Sequence, residues 1–165
     1  MKPLALCLNF LSEKGVKNIR CYPLNLTNRQ LKNVVAKSMN EDSKDGEFLF
    51  SAVGSKIVAS YVFHVPIQSA TAKASLTYVF NNINFNPQEI NVYFERTVNK
   101  LKENNMLDFE TIANVLPKLF SDFRKSTDIK IKVKSAVSIE IKSEKKKKRV
   151  PRKDIIEKIG DDLWD

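Results

Sequence analysis

The spacing of apolar residues changes along this chain, and each change marks a new element. The runs LALCLNFL (4–11) and KNIRCYPL (17–24) flank SEKG, where Gly15 suits a turn at positive φ, so the opening reads as a β-hairpin. LTNRQLKNVVAKSM follows with a helical period. Thr27 is a natural N-cap, Gln30 completes a capping box, and Leu26 and Leu31 are spaced for a hydrophobic staple. Leu31, Val34, Val35 and Met39 then share one face, with lysines and asparagines opposite. After NEDSKDG, two β-rich runs are joined by Gly54-Ser55, a two-residue hairpin signature. In the second run Ile57, Ala59, Tyr61, Phe63 and Val65 alternate with Val58, Ser60, Val62 and His64. Both sets are largely apolar, which predicts a sheet covered on both faces. PIQSATA reads as a loop and KASLTYVFN as a further strand.

The second half begins with a helix start. Asn86 is placed to cap, Pro87 stands at the first helical position, and Phe85 and Ile90 supply a staple. Ile90, Phe94, Val98 and Leu101 form the inward stripe, and Asn104-Asn105 suits a left-handed stop. Another helix starts at Asp108, with Phe109, Ile112, Leu116, Leu119, Phe120 and Phe123 inward; Pro117 should kink or divide it. From Asp128 the apolar residues Ile129, Ile131, Val133, Val137, Ile139 and Ile141 fall on one parity, which predicts an extra β segment with a lysine-rich outer face. The three units expected are a folded domain over 1–141, a basic linker over 142–153 and an acidic amphipathic peptide over 154–165.

Composition supports one folded domain with a charged tail. The chain has 165 residues, 42% of them hydrophobic, with ten phenylalanines, which is enough for a core. Net charge is +9, but residues 142–153 carry +7 and residues 154–165 carry −4, leaving the body only mildly basic at +6. No apolar run approaches the roughly 18–20 residues that span a bilayer. MKPLALCLNFLSEKG resembles a weak signal peptide without a small-residue cleavage site, and strand alternation explains it better. Cys7 and Cys21 fall in neighbouring predicted strands and read as buried thiols of a reducing cytosol.

Candidate chemistry is thin. The four glycines are scattered and form no phosphate-binding loop. His64 is the only histidine, stands mid-strand, and reads as structural; with two cysteines far from it no metal set is expected. Cys7 has no local base. Glu89, Glu95, Glu103, Asp108 and Glu110 sit at helix starts or on polar faces, where capping and solvation explain them. A non-catalytic protein without cofactor or metal is the expectation.

The order β-β-α-β-β-β-α-α resembles the longin-domain superfamily over residues 4–125. Phe63-His64-Val65-Pro66 and KASLTYVF (73–80) are similar to a Phe-x-x-Pro step and a following strand found in longin-like domains of the folliculin and nitrogen-permease-regulator group. The Arg-Gly of that pattern is absent. A related fold, roadblock, usually opens with a helix, whereas this chain opens with a strand. The resemblance implies an α+β fold: a five-stranded antiparallel sheet with one helix on one face and two on the other. It also implies a protein-interaction platform, a small-GTPase-binding or regulatory subunit or a membrane-trafficking adaptor, cytoplasmic or peripheral on membranes. Its partners would be a small GTPase or a longin or roadblock-type subunit.

A lysine run is most often a solvated segment, and beside that reading the tail offers two candidate surfaces. Lys145, Lys146, Lys147, Lys148, Arg149, Arg152 and Lys153 form a block suited to an anionic membrane surface, at roughly 1 kcal/mol per residue. The same block admits a different class, a small basic nucleic-acid-binding protein, although it lacks interleaved aromatics for base stacking. Beyond it, Ile155, Ile156, Ile159, Leu163 and Trp164 make a short amphipathic pattern with acidic residues between them, the features of a partner-docking peptide. A stretch this short is marginal as a helix in water and needs a surface to order it.

Overall fold

A computed structural model of the chain describes residues 2–81 and 86–136, with side chains through Lys125. Five strands, β1 (Ala5–Ser12), β2 (Gly15–Tyr22), β3 (Phe48–Val53), β4 (Lys56–Ile67) and β5 (Ala70–Phe80), form one sheet in the order β2-β1-β5-β4-β3. All four pairings are antiparallel. Helix α1 (Asn28–Ser38) stands between β2 and β3, and α2 (Pro87–Glu103) and α3 (Phe109–Ala136) follow β5. The architecture is therefore α+β, as the sequence pattern predicts.

The local signals act as chemistry requires. Gly15 at φ +99° opens β2 and Gly54 at φ +61° begins the two-residue turn between β3 and β4. The Thr27–Gln30 capping box is formed in both directions, and Leu26 and Leu31 pack into one cluster. Asn86 caps α2 by accepting from the Gln88 amide, while its staple partner Phe85 lies outside the described residues. Asn105 takes the left-handed conformation at φ +56°, and the Met106 amide then closes on the Leu101 carbonyl.

Strand residues of opposite parity enter different buried clusters. Leu6 and Leu8 of β1, Tyr61 and Phe63 of β4, and Leu76 and Tyr78 of β5 pack with Ile90, Phe94 and Leu101 of α2 and Ile112, Leu116 and Phe123 of α3. Ala5, Cys7, Cys21, Val58 and Val79 pack instead with Leu26 and Val34. The doubly apolar β4 is thus buried on both sides.

One expected loop changes. The PIQSATA loop shrinks to Gln68-Ser69, because the β4–β5 ladder continues through Pro66↔Thr71 to Ile67↔Ala70. Pro66 is tolerated there because β3 pairs with β4 only as far as Tyr61, so the missing N–H leaves no ladder bond unmade. Over the first part of the predicted extra β segment α3 continues to Ala136, and residues 137–141 lie outside those described. No Gly or Pro interrupts the chain between Lys118 and Ala136, and extending an existing helix costs far less than nucleating a strand pair.

Pro117 lies inside α3, which continues through it. Its ring removes the amide that would reach back four residues, so the Ala113 carbonyl loses its helical donor. Arg20 of β2 takes that place, with Nη1 donating to the Ala113 carbonyl at 2.9 Å. The proline defect thereby becomes a tie between α3 and the sheet edge.

Two outcomes test this packing. Phe94→Ala should lower unfolding free energy by about 3–5 kcal/mol in denaturant titration, since a buried aromatic ring leaves a cavity. Arg20→Met should cost about 1 kcal/mol alone and less in a Pro117→Ala background, where residue 117 regains its amide. Equal costs of Arg20→Met in both backgrounds would show that the guanidinium does not serve the proline gap.

Candidate docking groove

Helix α1 lies over the sheet with Val34, Val35 and Ser38 buried beneath it, and a groove runs along each flank. The larger, of about 670 Å³, separates α1 from the β1–β2 hairpin. Leu11, Val16, Leu31, Val35, Ala36 and Met39 give it an apolar lining, and Gly15, Lys17, Lys32, Asn18, Asn40 and Glu41 complete it. The smaller, of about 410 Å³, lies between the start of α1 and the β3–β4 turn, with Arg29 and Lys56 on its walls. The apolar groove with a few polar groups is the better-shaped binding feature of the two.

A β-bulge builds one wall. Leu8 pairs with Arg20 and Asn9 with Asn18, so Ile19 is the extra residue on β2. Since side chains alternate with a strict period of two, this insertion swings Asn18 onto the face that Cys21 occupies. Ile19 is left 37% exposed. Asn18 Nδ2 can then donate to Asn9 Oδ1 at 2.8 Å and to the Leu8 carbonyl at 3.2 Å.

From Asn9 the hydrogen bonds run inward. Asn9 is fully buried, and its Nδ2 faces Thr77 Oγ1 at 3.2 Å and Ser75 Oγ at 3.4 Å. Ser60 and Thr77 share a hydroxyl contact of 2.9 Å. One polar row therefore crosses β2, β1, β5 and β4 beneath an otherwise aliphatic surface. Sequence reasoning missed it; the signal available was a small polar residue recurring on the inner parity of three strands.

No common site gathers the singled-out residues, although Cys7 and Cys21 pair in the β1–β2 ladder. His64 is exposed at the surface, its backbone amide donating to Asp45 Oδ1 at 2.9 Å with Nδ1 3.9 Å from the same oxygen. Asp108 caps α3 by accepting from the Thr111 amide at 2.8 Å, and the bonds from Thr111 hold its carboxyl below the usual range. Glu89 and Glu110 stand in the first turns of α2 and α3. Cys7 and Cys21 are both buried free thiols. Among the described residues no three His, Cys, Asp or Glu side chains gather in a way that could hold a metal, and no helix is long and apolar enough to cross a membrane. The tail residues, Lys145–Lys148, Arg149, Arg152, Lys153, Ile155, Ile156, Ile159, Leu163 and Trp164, lie outside the described residues.

Neither protein-family models nor curated protein sequences match this chain.

Asn9→Ala should destabilise the protein by about 1–3 kcal/mol in denaturant titration, because it strips buried hydroxyls and Asn18 of their shared partner. A variant as stable as wild type would show that the row is not coupled through Asn9.

Proposed function

We propose that this chain is a non-catalytic protein-interaction module of longin-like architecture, serving as a small-GTPase-binding or trafficking-adaptor subunit. The observation that carries the reading is the sheet order β2-β1-β5-β4-β3, with α1 packed in one buried cluster and α2 and α3 in the other. Two strands, a helix, three strands and two helices, with one helix on one face and two on the other, is what the longin resemblance implies. The groove beside α1 supports a docking role. Its apolar lining would take the hydrophobic side chains of a partner segment, and Lys17 and Lys32 would favour acidic residues flanking them. A nucleic-acid role draws less support, since Tyr61, Phe63, Tyr78 and Phe80 of the sheet are buried and cannot stack on bases.

In this reading the two parts of the tail act differently. The block Lys145–Lys153 supplies long-range attraction to an anionic membrane, and Ile155, Ile156, Ile159, Leu163 and Trp164 form a short docking peptide for a second protein.

The full chain, immobilised and titrated with GTP- and GDP-loaded small GTPases and with single-stranded oligonucleotides, tests the proposal. Binding of a GTPase that depends on its nucleotide is expected, weakened at least about tenfold by Ala36→Arg, a loss of about 1.4 kcal/mol. Ala36 is exposed, so the variant should keep its melting temperature. Neutralising Lys145–Lys148 should weaken binding to anionic vesicles, most visibly at low salt. Oligonucleotide binding without GTPase binding would transfer the protein to the nucleic-acid class.

A further inference from the structure

The smaller buried cluster contains a feature that packing alone does not require. Cys7 of β1 and Cys21 of β2 are directly paired in the ladder, and their sulfurs lie 2.7 Å apart. That separation is well inside van der Waals contact for two sulfur atoms. Directly opposed residues of an antiparallel pair have Cα atoms about 4.5–5.5 Å apart, within the range of about 4.4–6.8 Å that a disulfide spans. Both side chains already point to the same face, among Ala5, Leu26, Val34, Val58 and Val79. The register thus places the two thiols opposite each other and within reach of a cross-strand bond.

We propose that Cys7 and Cys21 form a reversible cross-strand disulfide, a modification site for low-molecular-weight disulfides of the glutathione class. The inference stands apart from the proposed function and survives its failure. The two thiols are not equivalent. Cys7 is fully buried, whereas Cys21 is 9% exposed and lies on β2, an edge strand that opens more readily than the sheet centre. The Cys7 thiol donates to the Cys21 sulfur. That bond lowers the Cys21 thiol from its ordinary value, and the same contact together with burial raises Cys7. Cys21 is thus the sulfur that becomes a thiolate first and meets the reagent.

The chemistry balances in two exchanges. The Cys21 thiolate attacks one sulfur of the small disulfide, and one glutathione leaves as a thiolate. Cys7 then gives its proton to solvent and attacks Cys21 Sγ, expelling the second glutathione thiolate. Two protein thiols are oxidised by two electrons, and one small disulfide is reduced to two small thiols. The new bond ties edge strand β2 to β1 two residues from the Ile19 bulge. It would also restrain the strand that supplies Val16, Lys17 and Asn18 to the groove beside α1.

The experiment uses the full chain, first reduced, then equilibrated across ratios of oxidised to reduced glutathione. Free thiols are blocked with a maleimide after an acid quench and unfolding, and intact mass is read. The expected product is a monomer lighter by two hydrogens that takes up no maleimide, melts higher than the reduced form, exchanges β2 amides more slowly, and reverts in excess reduced glutathione. Cys7→Ser, or Cys7→Ala should the serine variant not fold, should stop at one glutathione adduct on Cys21. The proposal is overturned if both thiols take up maleimide at every ratio, if the lighter species is a disulfide-linked dimer, if oxidation lowers the melting temperature, or if reduced glutathione cannot reverse it. A Cys7 variant without an adduct would remove Cys21 from its role as the entry sulfur.

Discussion

Tyr78 is the side chain on which the larger half of the structure converges. It stands on β5, the middle strand of the sheet, and is almost completely buried. Its ring stacks on Phe123 of α3 at 4.4 Å and lies 5.2 Å from Phe94 and 6.4 Å from Tyr93 of α2. Its hydroxyl donates to the Leu119 carbonyl at 3.1 Å, and Tyr93 donates to the same oxygen at 3.2 Å. An aromatic ring with a polar tip can fill a core only if the tip is satisfied. Here the partner is a carbonyl on the inner side of α3, so one residue fixes the position of both helices against the sheet. Burial pushes the Tyr78 and Tyr93 phenols up, which keeps both protonated and able to donate.

The opposite face is built differently. Its aliphatic end lies around Cys7, Val58, Val79 and Val34, and a polar row of Asn9, Ser60, Ser75 and Thr77 occupies the rest. Such a row is tolerable only when its members satisfy one another, because an unpaired buried polar group costs as much as several good contacts gain. Satisfaction depends on Asn18, and Asn18 faces inward only because of the bulge at Ile19. The bulge, the polar row and the wall of the groove are therefore one device. A uniform hydrophobic layer under α1 would not have required it.

Pro117 and Arg20 show a comparable dependence over a long sequence separation. The proline opens a gap in the hydrogen bonding of α3, and a guanidinium from the far end of the chain fills it. Arg suits this position because its planar, always charged fork carries donors to a carbonyl without needing a buried counterion. The tie joins edge strand β2 to α3, and Tyr22 beside it rests edge-on against Phe120 at 5.8 Å.

What could be read from the sequence was whatever is decided locally. Thr27 and Gln30, Asn86 and Pro87, Asn105, Gly15 and Gly54 each act through backbone groups within a few residues, so their meaning travels with the sequence. The two-sided apolar pattern of β4 was likewise legible, because alternation is a property of one strand. Tertiary structure decided the rest. The β4–β5 ladder runs past Pro66 to Ile67 and Ala70, because β3 pairs with β4 only as far as Tyr61 and the proline's missing N–H breaks no ladder bond. Nothing local announces that Arg20 meets Ala113, that Asn18 is turned onto Asn9, or that Cys7 and Cys21 touch. Each follows from register, which the sheet as a whole sets by burying both of its faces at once.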